Sequence, residues 1–495
     1  MSSPDLLWPR PIHRGTWAFA WAATRSSALA CALACALAVS ACTSPNMEQT
    51  LARTNQRTGA FTQGELVLAR NDAQRAAMDR AAADLLAQPL TRDNAVRLAL
   101  LNSPALQALL AQYAADAAQA AQSGRIANPQ VSLERLVLGS ELEIGRSISF
   151  GLLDLLTLPQ RQKTADAELA RQELLLSASV VAQVTQVRQA WVRAVAAQQN
   201  LAYAAQVQES AQASAELARR MQAAGNFTRL QRAREHAFYA DAMAQWAAAQ
   251  HAQTAAREAL VRALGLGDAQ AAAMQLPARL PELPAQTITP QAAAQSAADG
   301  RLDIRLAQAA LQVQAAAQGL ENISSLGDIE LGLRADTVFD NAAATTTART
   351  GVQLSVRVPV LDPGDQRRAA MNARTLAAAQ NLQAAARAAG SHLRESYSAY
   401  RTAWDVAAHY RDDILPTQQR ISEENLLRYN GMLIGVFELL ADARAQTASV
   451  MGAITALEQF WLAEAALQST LIGQPQAYNP PGNAAGTRDE RRAAH

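Results

Sequence analysis

Residues 328–360 read DIELGLRADTVFDNAAATTTARTGVQLSVRVPV, and this stretch decides the fold. Ile329, Leu331 and Leu333 alternate with Glu330, Gly332 and Arg334; further on, Val352, Leu354, Val356, Val358 and Val360 alternate with Gln353, Ser355 and Arg357. A period of two over runs of about ten residues marks two strands with unlike faces. Between them VFDNAAATTTART, residues 338–350, is polar and small and reads as a loop.

The same plan stands earlier in the chain. LTRDNAVRLALLNSPAL from Leu90 matches ITPQAAAQSAADGRLDI from Ile288, and Val131 matches Ile329, in each case 198 residues apart. AAGNFTRLQ matches NGMLIGVFE, which pairs Thr228 with Gly435 at an offset of 207. The chain thus divides into a first repeat (90–280), a linker (281–287) and a second repeat (288–473), with a tail over 474–495. In the first hairpin Leu142, Ile144, Ile148 and Phe150 alternate, the strand from Val131 changes phase after Leu133, and Gly139 and Ser140 make a tight turn. The shorter loop is expected to account for the nine residues by which the first repeat is shorter.

Each hairpin lies between helical stretches. Residues 160–224 and 365–429 read as continuous helices, with Val180, Val184, Val187, Trp191 and Val195 in one and Leu393, Tyr397, Tyr400 and Trp404 in the other at helical spacing. About 65 residues make a helix roughly 95 to 100 Å long. Lacking a continuous apolar run, such helices pack as coiled coils in water. Shorter helices are expected at 104–123 and 302–322 before the hairpins, and at 228–264 and 436–472 after the long helices.

All three cysteines, Cys31, Cys35 and Cys42, fall within CALACALAVSACTS, residues 31–44. Basic residues precede a short apolar run and then small residues, the layout of a secretory signal over 1–41. VSAC resembles a bacterial lipobox, which makes Cys42 the lipid attachment point and 42–89 a lipidated N-terminal tether. The net charge of +1 gives no bulk affinity for nucleic acid.

Strands of this length on an exported protein suit a transmembrane barrel. One chain supplies four, and open sheet edges are not tolerated in hydrocarbon, so several chains must share one barrel. The fold class expected is mainly α with a small membrane β-barrel: long coiled-coil helices in a periplasmic tunnel, and four strands per chain in a shared barrel.

Over 90–472 the order helix, hairpin, long helix, return helix resembles the TolC family of outer-membrane efflux channels, especially its lipidated members. LLNSPALQALLAQY and GRLDIRLAQAALQ resemble the family's paired helix starts, LSVRVPVLDPGDQRRA its strand-to-helix junction, and RYNGMLIGVFELLADARAQ its helix-turn-helix tip. The sequence departs from the family at Leu302, where proline is common, and at GLLDLLTLPQRQ, which lacks the glycine-rich junction. The resemblance implies a homotrimer in the outer membrane lipid, reaching into the periplasm and docking a periplasmic adaptor (membrane fusion) protein and an inner-membrane pump. It implies a passive conduit for small molecules or metal ions; a conduit for type I protein secretion and a lipid-anchored coiled-coil envelope scaffold are the alternatives.

No phosphate-binding glycine loop, nucleophile elbow or metal-ligand spacing among His236, His251, His392 and His409 points to an enzyme, and no cofactor is implied. The candidate gate and adaptor-docking tip lies where each long helix turns into its return helix. It comprises Arg219, Arg220, Gly225 and Arg229 in the first repeat, and Glu424, Arg428, Tyr429, Gly431, Gly435, Glu438 and Asp442 in the second. These charges read either as solvated helix-end charges or, for some of them, as pairs across helices that hold the tip shut.

Overall fold

The computed structural model describes residues 46–298, 300–324, 328–358 and 360–475. Cys42, the signal segment 1–41 and residues 476–495 of the tail lie outside the described residues.

The chain opens with α1 (Met47–Thr62) and α2 (Asp72–Leu86), then α3 (Arg92–Asn102) and α4 (Pro104–Ser123). The first hairpin is β1 (Gln130–Leu138) and β2 (Glu141–Gly151), followed by α5 (Leu152–Ala223), α6 (Arg229–Leu264) and the short α7 (Asp268–Ala273). The second repeat holds α8 (Pro290–Ala298), α9 (Leu302–Ser324), β3 (Asp328–Asp340), β4 (Thr345–Arg357), α10 (Asp365–His409), a π turn (Tyr410–Ile414), α11 (Leu415–Asn430) and α12 (Val436–Ile472).

Local chemistry sets these limits. Ser103 caps α4 through its hydroxyl, with Pro104 in the first turn, where its missing N–H is no loss. Thr228 and Gln231 form a capping box at the start of α6. α6 ends at Gly265 (φ +69°) and α12 at Gly473 (φ +90°), both left-handed, a conformation that favours glycine. A Cβ on Gly265 would lie 2.4 Å from Pro104 Cδ, and one on Gly473 would lie 2.6 Å from the Leu302 nitrogen. The two repeats thus share a joint in which the end of the return helix touches the start of the helix before the hairpin. Leu302 occupies the place that Pro104 holds in the first repeat.

Three sequence expectations are corrected. First, 42–89 is not a loose tether from Met47 onward: Met47, Leu51, Phe61, Leu66, Ala82 and Leu86 are buried in the main core. Arg188 of α5 donates to the Phe61 carbonyl at 2.5 Å, and Arg57 meets the buried Glu173 at 2.9 Å. Second, 365–429 is not one unbroken α-helix. Pro416 stands in it, and the backbone passes through the π turn just before, where Leu415 N–H bonds the Tyr410 carbonyl. Third, most of the expected loop 338–350 is strand. Only 341–344 turn, so the extra residues lengthen the second hairpin's strands to 13 residues each, against 9 and 11 in the first. β4 stops at Arg357, before Val358 and Val360.

The main core runs along α5, where Val180, Val184, Val187, Trp191 and Val195 are all buried as their spacing predicts. A second core joins Tyr400, Ala403 and Ala407 of α10 to Phe460, Ala463 and Leu467 of α12. Tryptophans fasten the chain between the repeats: Trp404 Nε1 donates to the Pro284 carbonyl and Trp461 Nε1 to that of Pro281, each at 3.0 Å, while Trp191 Nε1 reaches the Leu90 carbonyl at 2.7 Å. Beside this region Glu464 is buried against Arg92 at 2.9 Å, and burial pushes its carboxyl above the usual range despite that partner.

Candidate channel wall and helical tip

The four strands form one antiparallel sheet in the order β1-β2-β3-β4, with β1 and β4 at its edges. In antiparallel register, residues directly opposite share a face. Val131 is paired with Ile148, Ile148 with Leu333, and Leu333 with Val352; one row on, Phe150 is paired with Leu331 and Leu331 with Leu354. One face is therefore apolar except for Arg135 and Arg146, and it is uncovered: Leu133 is 78% and Val352 72% exposed. The opposite face carries Glu134, Glu141, Glu143, Asp328, Glu330, Asp336 and Asp340 against Arg334, Arg349 and Arg357. There Arg334 meets Asp336 at 2.8 Å, Glu134 at 3.4 Å and Glu143 at 3.7 Å. Every residue of β1 and β4 is exposed, so both edges are unpaired in the single chain. The phase change after Leu133 does not interrupt β1; it places Leu136 and Leu138 on the polar face.

The two turns are tied together at the far end of the sheet. Asp340 Oδ1 accepts from the Ala342 and Ala343 nitrogens, and the Asn341 nitrogen donates to the Ser140 carbonyl at 3.1 Å.

At the other end of the helices, α5 turns into α6 and α11 into α12. Gly225 is left-handed (φ +79°), which lets the first turn close directly onto the Thr228 cap. Gly431 ends α11, Gly435 caps α12, and between them Met432 (φ +58°) and Leu433 are 94% and 78% exposed. Arg219 and Arg220 both bond Glu216, at 2.7 and 2.8 Å, and these two arginines hold its carboxyl down at about 2. Arg428 bonds Glu424 at 3.1 Å, one turn back. Of the charges named for pairing across helices, Arg219, Arg220, Glu424 and Arg428 therefore pair within their own helices. Arg229 opens α6, while Tyr429 and Glu438 stay at the surface of the second turn.

Of the sequence candidates, Asp442 alone is buried, and its Oδ1 accepts from Gln418 of α11 at 2.9 Å. A contact that crosses between repeats lies outside the sequence candidates: Arg444 of α12 meets Glu235 of α6 at 2.8 Å and stacks over Phe238 at 4.4 Å. Glu235 and Asp442 are 207 residues apart, the offset of the tips, so the repeat alone makes them equivalent. That offset was the available signal.

Among the described residues no three His, Cys, Asp or Glu side chains gather as a metal site, and no helix is long and apolar enough to cross a membrane.

The fold of this chain recurs in solved structures. The Campylobacter jejuni CmeC outer membrane channel is similar with a TM-score of 0.64 at 14% identity, over 86% of this chain and 92% of that one. This chain has the outer-membrane channel fold. The Neisseria gonorrhoeae MtrE outer membrane channel in its open state gives 0.60 at 18% identity over 80% and 89%. A membrane protein from Pseudomonas aeruginosa gives 0.62 at 19% over 81% and 94%. No family model and no curated protein sequence matches the chain. The outer-membrane channel fold accounts for both the sheet and the paired helices, which are the elements expected from the sequence.

Proposed function

We propose that the chain is the outer-membrane channel subunit of a tripartite export system, a passive conduit and not an enzyme. The observation that carries this reading is the four-stranded sheet, apolar on one face, charged on the other and open at both edges. Hydrocarbon does not tolerate open edges, so copies must pair β1 with β4 around a closed ring. Two copies would give an eight-stranded barrel filled by its own side chains; three give twelve strands and a lumen. The 72 residues of α5, roughly 108 Å of helix, extend the same ring as a periplasmic tunnel.

The apolar face meets lipid and the charged face lines the lumen, where seven carboxylates against three arginines per chain favour small cations as cargo. Cys42 anchors the chain to the outer membrane through a lipid. The tip, with exposed Met432 and Leu433 beside Gly431 and Gly435, is the surface for a periplasmic adaptor, which connects the channel to an inner-membrane pump. Arg219, Arg220 and Arg428 act there by exchanging their carboxylate partners.

The test is heat-modifiable migration of a trimer together with single-channel conductance in planar bilayers under a salt gradient. Discrete conductance with a cation-selective reversal potential is expected. A monomer without conductance would leave a lipid-anchored scaffold as the function.

A further inference from the structure

The lipid-facing side of the sheet carries two arginines that nothing on that side neutralises. Arg135 of β1 is paired with Ile144, and Arg146 of β2 with Leu133, so the two are diagonal neighbours on adjacent strands of the apolar face. Side chains as long as arginine's reach each other across that spacing. Both are exposed. Arg146 donates only to the Thr337 hydroxyl, at 3.4 Å, and Arg135 has no hydrogen-bond or ion-pair partner among the described residues. Every carboxylate of the sheet is on the opposite face.

Assembly does not change this. Closing a ring brings β4 of a second copy beside β1, and β4 offers this face Thr346, Ala348, Thr350, Val352, Leu354 and Val356, none of them acidic. The counter-charge must therefore come from outside the protein.

The position of the pair says from where. The arginines occupy the second and third rows below the turns, and the rows beyond them, towards the helices, are wholly apolar. In the channel reading the turns point away from the periplasm, so the pair sits at the outer end of the lipid-facing band. An outward charge is tolerated best near the interface, towards which a long side chain can carry its guanidinium. In the same two rows the second hairpin presents only Ala335, Thr337, Ala348 and Thr350, which leaves room for a headgroup.

We propose that Arg135 and Arg146 bind the phosphates of a phosphorylated glycolipid in the outer leaflet, an inference that rests on the channel reading above. Guanidinium forks match phosphate oxygens, and one bridging phosphate relieves the repulsion between two neighbouring cations.

The trimer purified in detergent is mixed with bis-phosphorylated lipid A or with its fully dephosphorylated form, and bound lipid is counted by native mass spectrometry. Roughly tenfold greater retention of the phosphorylated form is expected, as for charge-assisted pairs. It should be lost in the Arg135→Gln/Arg146→Gln double variant and kept in Arg349→Gln on the lumen face. If the double variant does not assemble, Arg135→Gln, which breaks no contact, is read in its place. Equal retention of both lipids, an unchanged preference in the variant, or displacement by inorganic phosphate would each overturn the lipid site. Absence of a conducting wild-type trimer would instead overturn the channel reading, and that result is scored separately by migration and conductance.

Discussion

The two repeats follow one plan, yet their long helices differ. α5 runs 72 residues without a break, with Pro159 near its start, and is buried along its middle by α1, α3 and α4. The equivalent stretch of the second repeat is 45 residues of α10, a five-residue π turn and 16 residues of α11. Tyr203 and Tyr410 occupy matching places 207 residues apart. Tyr203 packs among Val207, Ala211 and Ala242, whereas Tyr410 lies so close over Gly452 that a Cβ there would stand 2.6 Å from its hydroxyl. Proline removes one helical donor, and a π turn absorbs the resulting mismatch. A duplicated sequence has thus made one uninterrupted, covered helix and one interrupted, more exposed helix.

The sharpest way to break this comparison is at the equivalent carboxylates. Arg444→Ala leaves Glu235 buried without its cation and should lose about 3 kcal/mol of stability in denaturant titration followed by circular dichroism. Gln418→Ala, which strips only a neutral donor from Asp442, should lose about 2 kcal/mol. Equal losses would mean that the repeats bear the same load at this level.

The joints should behave alike where the helices do not. Gly265→Ala and Gly473→Ala each force a side chain into left-handed backbone and onto the neighbouring helix start, with an expected loss of about 2 kcal/mol apiece. A marked inequality between the two melting shifts would show that Leu302 relaxes the second joint in a way Pro104 does not.

A smaller effect separates the tyrosines. Gly452→Ala should push Tyr410 aside and cost about 1 kcal/mol, whereas Gln245→Ala at the matching place should change stability by less than about 0.5 kcal/mol. Spin labels flanking the π turn should report a changed separation in the first variant only.

The smallest effect is at the first tip. Glu216 is depressed to about 2, so the interaction is fully present above the ordinary carboxylate range and is lost as pH falls through about 2. Because the pair is exposed, Glu216→Gln should leave stability at neutral pH nearly unchanged, while carbon-13 NMR of labelled glutamate should show its carboxyl still ionised at pH 4. Protonation at the ordinary carboxylate pH would remove Arg219 and Arg220 as its partners.

Much of the architecture is legible in the residues themselves. The limits of α4, α6 and α12 fall where Ser103, Thr228 and Gly473 place caps, because capping is decided within a few residues. The apolar face of the sheet follows from alternation, and the duplication makes Glu235 and Asp442 counterparts. Hairpin length is not legible in the same way, because small polar residues such as Thr345–Thr347 read as a loop, while their pairing with Val338, Phe339 and Asp340 makes them strand.

Sequence by itself determined the order of elements, their periodicity and the repeat, since these depend on backbone geometry and near neighbours. Only the tertiary structure decided that α1 and α2 close over α5, that tryptophans hold the linker, and that Arg444 reaches Glu235 across 209 residues. Those contacts depend on how each helix is rotated about its axis against another, and that rotation is fixed by the packing of all of them together.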